Sequence, residues 1–307
     1  MSNPATGQPA ANVRQGFLPL SGGPESAGTF PWQRPWWLPN RGGWPTFGWV
    51  ILIHAAALAG LILTPWPGVW IFLGALAIAW LGGMGTTIAY HRAIAHRSLR
   101  LHPVARGILT FFAMLNGSGA PVSWAAYHRH HHATADTARD ISSPRIAGFW
   151  WSHLRWLWQA GPAPEAHYCR DLQGLSYRIW TWIQAPILAL SFFGGLAFGW
   201  AGFFWLGAIR LVYSLHGQCF VNSVCHLGPA TAEGEDSSKN VWWLGLWQLF
   251  LGENWHRNHH ARPGSAKFGW RSLQVDAGWW AIVVLKRLGL ATNVRRQEVP
   301  AAGTAAS

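Results

Sequence analysis

The chain has 307 residues, half of them hydrophobic and only 11% charged, with 24 tryptophans and a net charge of +12. A length in this range means one or two domains, the simpler reading being one. So few charges, against roughly 25% in an average soluble protein, favour a membrane protein over a soluble one. All but three of the 23 basic residues are arginine, which suits loops facing anionic lipid or a nucleic-acid binder. The apolar spans decide for the membrane.

Residues 1–43 lack the apolar core of a cleavable signal and are rich in Pro, Gly, Ser and Ala, so a mobile cytoplasmic tail is expected. Residues 42–90 run 49 positions without Asp, Glu, Lys or Arg, broken by TPWPG at 64–68. At about 20 residues per span, this fits two transmembrane helices joined by a tight turn, over roughly 46–64 and 69–90. Residues 179–209 form a second uncharged run with FFGGLAFGWAG near its middle. Continued past Arg210, it makes another hairpin over 179–197 and 200–224. A soluble four-helix bundle is disfavoured, because soluble helices keep a polar face. The last residues, 297–307, read as a second mobile tail.

Ten arginines lie between Arg92 and Arg178, both counted, while neither hairpin turn carries a charge. The positive-inside tendency therefore puts the middle segment, both tails and the C-terminal third on the cytoplasmic side. The expected fold is an all-α membrane protein in which four transmembrane helices in two hairpins sit under a cytoplasmic helical cap, with residues 44–296 as one domain. Cys169, Cys219 and Cys225 form no Cys-x-x-Cys pair, in keeping with a reducing setting.

Ten of the 15 histidines fall in four short stretches, HRAIAH from 91, HRHHH from 128, NSVCH ending at 226 and WHRNHH ending at 260. All four would meet on the cytoplasmic face. At about 100° per residue, His128 shares a helical face with His131 or His132, whereas His130 is displaced by about 200° and is left out. The same His-x-x-His-His spacing recurs at His256, His259 and His260. Neighbours about 100° apart can serve two metal ions, and a third one turn earlier reinforces one of them. His91 and His96 stand about 140° apart on an ideal helix, so either the helix ends between them or they reach separate ions.

Asn222 lies one helical turn before His226, which lets an amide hold a metal-bound water beside an imidazole. Eight imidazoles from three boxes, with His226 as a ninth, exceed the four ligands of structural zinc and suit two first-row transition ions. The Glu-x-x-His motifs of soluble carboxylate-bridged bundles are missing. Asp136, Asp140, Asp236 and Glu253 are expected instead to orient ligating histidines through the other ring nitrogen. Loop solvation for Asp136 and Asp140, and helix capping for Glu253, are the plainer alternatives. His54, His102, His153, His167 and His216 read as surface or hydrogen-bonded residues.

YHRAIAHRS, WAAYHRHHHATADTARDISSP, NSVCHLGP and GENWHRNHHARPGSAKFGW, in this order, resemble the membrane fatty-acid desaturases of the Δ9 type. The resemblance covers residues 49–296. It implies a di-iron site, two Fe2+ ions held by His91, His96, His128, His131, His132, His226, His256, His259 and His260, with Asn222 acting through water. It also implies a narrow tunnel for a saturated acyl chain, from which two hydrogens are removed to leave a cis double bond while dioxygen becomes water. Trp124, Trp150 and Trp151 are candidates to line that tunnel, with membrane packing as the alternative. Acyl-CoA members carry an acidic residue where this chain has Tyr127, and Arg257 stands where Asn is commoner. Acyl-CoA, acyl-lipid and acyl-carrier-protein substrates all stay open.

No cytochrome b5-like extension is visible, so the electron donor is expected to be a separate ferredoxin, rubredoxin or cytochrome b5 with its reductase. The expected setting is a bacterial inner membrane, with both termini and the active site cytoplasmic. A histidine-box hydroxylase is the nearest alternative. A metal transporter would want an ion path of polar residues, for which His54, Arg210 and His216 are too few. Nucleic-acid binding has no recognisable module.

Overall fold

The computed structural model describes residues 30–230, 232 and 234–297; the rest of the two expected tails lies outside the described residues. The principal elements, in chain order, are α1 (Trp44–Leu63), α2 (Val69–Ala95), β1 (Arg100–Leu101), α3 (Pro103–Leu115), α4 (Pro121–Thr134), α5 (Leu175–Trp182), α6 (Gln184–Phe193), α7 (Arg210–Ser223), α8 (His256–Ala261), α9 (Ala277–Arg287) and β2 (Ala291–Thr292). Among the described residues, three helical runs are long and apolar enough to cross a membrane: α1, α2 and the 40 residues Gln184–Ser223.

Charge-free sequence makes α1, with its proline in the first turn, where a missing N–H costs nothing. Its buried stripe, Val50, Ile53, Ala57 and Gly60, recurs every three to four residues. The outer face is equally apolar, with Leu58, Ile62 and Leu63 61%, 69% and 70% exposed. Such a face suits lipid rather than water. Without water to drive helices together, close approach of small residues does the packing. A Cβ on Gly60 would lie 2.6 Å from the Phe204 side chain.

The run from Gln184 to Ser223 is not one rod. Gly199 adopts φ +73°, a left-handed conformation natural to glycine, and the backbones of Gly195 and Gly202 touch. The chain doubles back there, bringing the Phe192 and Phe203 rings to 5.1 Å. The two hairpin tips are neighbours, since the Trp205 indole donates to the Thr64 carbonyl at 2.8 Å. Exposed Trp66, Trp70 and Trp200 ring this end, as interfacial tryptophans do.

The last eleven residues of α2, Gly85–Ala95, wind as a π-helix. Their hydrogen bonds run from i to i+5, and the His96 amide donates to the His91 carbonyl at 3.0 Å. Beside them, α3 turns back along α2, with Gly85 against the Leu109 carbonyl and Ala113. At its end, the buried Arg210 guanidinium donates to the carbonyls of Leu206, Leu115 and Ser191, to Asn116 Oδ1 and to the Ser191 hydroxyl. All of these acceptors are neutral.

Two departures from the sequence expectation stand out. The second apolar helix runs to Ala95 rather than ending near 90, because a π-helix continues it through His91 and leaves His96 as its C-cap. Residues 30–43, expected as tail, are held against residues 155–159. Arg155 donates to the carbonyls of Trp32 and Arg34, Gln159 to those of Pro35 and Leu38, and the Trp158 indole to that of Trp36.

Candidate metal centre

Nine of the ten histidines in the four stretches gather into two groups. In the first, one ring nitrogen each from His91, His96, His128, His132 and His259 lies within 4.8 Å of every other, and in the second the same holds for His131, His226, His256 and His260. Helical periodicity explains the crossing. On α4, His128 and His132 share a face and reach the first group, while His131 is turned to the second. On α8, His256 and His260 serve the second group and His259 the first. His91 and His96 meet in one group: the helix ends between them, at Ala95 with His96 as its C-cap, and i→i+5 winding of that last stretch brings His96 round over His91.

Ring nitrogens face one another across each group. The Nε2 pairs are His91–His259 at 3.0 Å, His96–His128 at 2.7 Å, His132–His259 at 2.9 Å, His226–His256 at 2.9 Å and His131–His260 at 3.4 Å. Hydrogen bonding does not account for all of them, since His259 Nε2 faces two ring nitrogens and, if it gives its proton to the His91 lone pair, has no lone pair left to accept from His132. Nitrogens about 2.1 Å from a shared first-row ion, at right angles to each other, stand about 3 Å apart. The donor set fits two such ions.

The four carboxylates stand behind these rings. His91 Nδ1 donates to Glu253 at 2.7 Å, and the Thr87 hydroxyl holds the other Glu253 oxygen. His131 Nδ1 donates to Asp140 at 3.0 Å, and Ser142 secures that carboxylate through its amide and hydroxyl. Asp136 is 3.6 Å from His226 Nδ1, an ion-pair distance beyond hydrogen-bond range, and accepts from the Ser237 amide and the Ser143 hydroxyl. Asp236, half exposed, lies 3.5 Å from His260 Nδ1. The Nδ1 atoms of His256 and His259 are buried without a hydrogen-bond partner among the described residues.

Electrostatics prepares the donors. Burial, then the other imidazoles, pushes His96, His128, His132, His256, His259 and His260 well below the ordinary histidine range. Lone pairs are thus free at neutral pH. Burial also lowers His131, but Asp140 outweighs it and leaves the ring raised. Burial raises Asp140 and Glu253, yet His131 and His91 hold them below the usual carboxylate range.

Other expected residues scatter. Asn222 sits half-buried on α7, one turn before His226. Trp124 stacks on His128 at 4.9 Å and touches His91. Trp150 is 67% exposed, and Trp151 is buried on Trp32 with its indole donating to Ile141, so neither makes a ring contact with the nine. His130 bonds Tyr168 and the Arg139 carbonyl, outside both groups.

Sequence reasoning passed over three features. Arg92, fully buried, pairs with Asp276 at 2.8 Å and lies over Phe268, whose ring packs on His91 and His259. The one signal was a charge directly after the first box histidine. Arg129 ties the second box to the first by donating to the carbonyls of Ile94, Ala95 and Tyr168. His54, His216 and His153, read singly as bland, form a row. His54 Nδ1 meets the Val50 carbonyl at 2.7 Å and its Nε2 meets His216 Nε2 at 3.1 Å; His216 Nδ1 meets His153 Nε2 at 2.8 Å, and His153 Nδ1 meets the Ser223 hydroxyl at 2.9 Å.

A family profile described as fatty acid desaturase matches residues 64–274. The chain is 33% identical over 276 residues to Delta-9 acyl-lipid desaturase 2 of Arabidopsis thaliana, covering 86% of this chain and 85% of the relative. It is 34% identical over 273 residues to the sn-2 palmitoyl-lipid 9-desaturase of Nostoc sp. (strain 36), covering 83% and 93%. An acyl-CoA 5-desaturase of Anemone leveillei is 35% identical over 257 residues, covering 79% and 76%. With its apolar spans and paired histidine groups, this chain is an oxidoreductase that belongs to the fatty acid desaturase family.

Proposed function

We propose that the protein inserts a cis double bond at the Δ9 position of a saturated, lipid-borne acyl chain. The overall change is R–CH2–CH2–R′ + O2 + 2 e− + 2 H+ → R–CH=CH–R′ + 2 H2O. The observation that carries this reading is the division of nine imidazoles into groups of five and four. Two of the similar proteins described above act, by name, on lipids at position 9, which favours that regiochemistry and carrier over the acyl-CoA 5-desaturase pattern.

In this reading His91, His96, His128, His132 and His259 hold one iron, and His131, His226, His256 and His260 the other, with Asn222 acting through a water. When bound, the two Fe2+ ions supply dioxygen activation. The chain's own residues do the rest. Glu253, Asp140, Asp136 and Asp236 fix ring orientation through Nδ1. Burial of His91, His226, His256 and His259 to 3% exposure or less keeps bulk water from the reacting atoms. Trp124, stacked on His128, is the residue best placed to line the acyl chain.

The two electrons come from a separate donor, a ferredoxin, a rubredoxin or cytochrome b5 with its reductase. Four crossings, two per hairpin, with both termini and the centre on the cytoplasmic face of a bacterial inner membrane, complete the picture; the arginines of the middle segment support that orientation. The test is the fatty-acid profile, with double bonds located by mass spectrometry, of cells expressing the wild type or His259→Ala beside a ferredoxin and its reductase. A Δ9 monounsaturated chain in the wild type alone is expected. A hydroxylated chain instead would replace this reading with the hydroxylase.

A further inference from the structure

Away from the histidine groups, a cleft of about 430 Å3 opens between the first box, α3, α5 and the C-terminal segment. Arg97, Arg100, Arg106 and Arg295 line it with Tyr177 and Asp171. The one carboxylate is already shared, 2.9 Å from Arg97 and 2.7 Å from Arg129. Among the described residues, Arg106 has only the neutral Tyr177 hydroxyl, at 3.5 Å, and its ring. Arg100 and Arg295 have no side-chain partner among the described residues. Positive charge is thus in excess, and it is placed deliberately by the backbone. Arg100 in β1 pairs with Thr292 in β2, and the Arg295 amide donates to the Ser98 carbonyl at 2.8 Å, which brings two distant segments to one mouth.

The helices framing the cleft are apolar on their outer faces. Val104 and Ile108 on α3 are 60% and 54% exposed, and Leu175, Ile179 and Trp182 on α5 are 64%, 42% and 67% exposed. Each set recurs at three- or four-residue spacing, so each forms one continuous row along its helix. A soluble anion needs only the guanidiniums, and an acidic protein would leave these rows in water. A phosphate ester carrying acyl chains satisfies both, with guanidinium–phosphate bonds at the mouth and hydrocarbon along the rows.

We propose that this cleft binds the phosphate of a membrane glycerophospholipid, with its acyl chains lying along α3 and α5. Arg97 follows His96, and Arg129 belongs to the helix of His128 and His132, so the headgroup is held beside the first histidine group. The site is one of binding and is tested without turnover, so its failure leaves the desaturase reading untouched.

The experiment measures retention of phosphatidylglycerol by the purified full chain in detergent, by native mass spectrometry. Wild type is compared with R100Q/R295Q, R106Q and the surface control R271Q. We expect retention at least about tenfold weaker in R100Q/R295Q, clearly weaker in R106Q and unchanged in R271Q, with melting temperatures alike. Diacylglycerol is expected to bind poorly, and millimolar inorganic phosphate to compete poorly. Equal retention in all variants, or equal binding of diacylglycerol, would overturn the proposal. Ready displacement by inorganic phosphate would overturn the lipid assignment in favour of a soluble anion.

Discussion

Glu253 holds His91 by its Nδ1 at 2.7 Å, while Nε2 of the same ring faces His259 at 3.0 Å. A carboxylate behind a ligating imidazole fixes its orientation and raises its basicity. Glu253→Gln keeps the shape and loses the charge. Iron affinity should fall about 10- to 100-fold with the fold kept. Iron content by plasma mass spectrometry, read beside circular dichroism, checks this; full iron loading at wild-type affinity would refute it.

Histidines inside and outside the two groups should differ sharply. His259→Ala removes a donor whose Nε2 meets two others, and activity should vanish. His130→Ala loses hydrogen bonds to Tyr168 and the Arg139 carbonyl, a cost of about 1 kcal/mol each, and activity should stay within about threefold of wild type. Iron loss in the His130 variant would show that the grouping has the wrong member.

Acid should destabilise the metal-free protein before any carboxylate titrates. Seven of the nine histidines are held below their ordinary value of about 6.5, so on acidification the unfolded chain takes up protons that the folded one refuses, and stability rises with pH across that window. His131, raised by Asp140, works the other way; its contribution is full below about 6.5 and fades as pH climbs through its folded value. Seven outweigh one. Melting temperature of chelator-treated protein should fall from pH 7.5 to 5.5, and a flat profile would count against it.

Arg92 and Asp276 form a buried pair at 2.8 Å that joins the end of α2 to the start of α9. Asp276→Asn leaves a buried guanidinium uncompensated, a loss of about 3–5 kcal/mol. A lowered unfolding midpoint in detergent would bear this out; an unchanged midpoint would mean water compensates the charge.

Much of the centre was legible because helical spacing is arithmetic. His-x-x-His-His on a regular helix must send two rings one way and one the other, and α4 and α8 do so. The first box was not legible, because nothing in the spacing of TTIAYHRAIA marks the π winding that this stretch adopts against α3 and α4. The turn inside the run from Gln184 to Ser223 was readable from its glycines. The docking of residues 30–43 was not, because it depends on carbonyls meeting Arg155, Trp158 and Gln159 more than a hundred positions away. Trp151 looked like tunnel lining by proximity in sequence, yet its indole is spent on Ile141.

The row from His54 to Ser223 has a direction. The Val50 carbonyl can only accept, so a neutral His54 carries its single proton on Nδ1 and accepts one from His216 at Nε2. His216 must then take one from His153 at Nδ1. Burial and His216 push His153 down to about 4, so it bears a single proton, already given to His216, and the Ser223 hydroxyl must point to it rather than to the Cys219 carbonyl. One backbone oxygen in α1 thereby dictates the tautomer of three rings and the rotor of a serine two residues before Cys-His at 225–226.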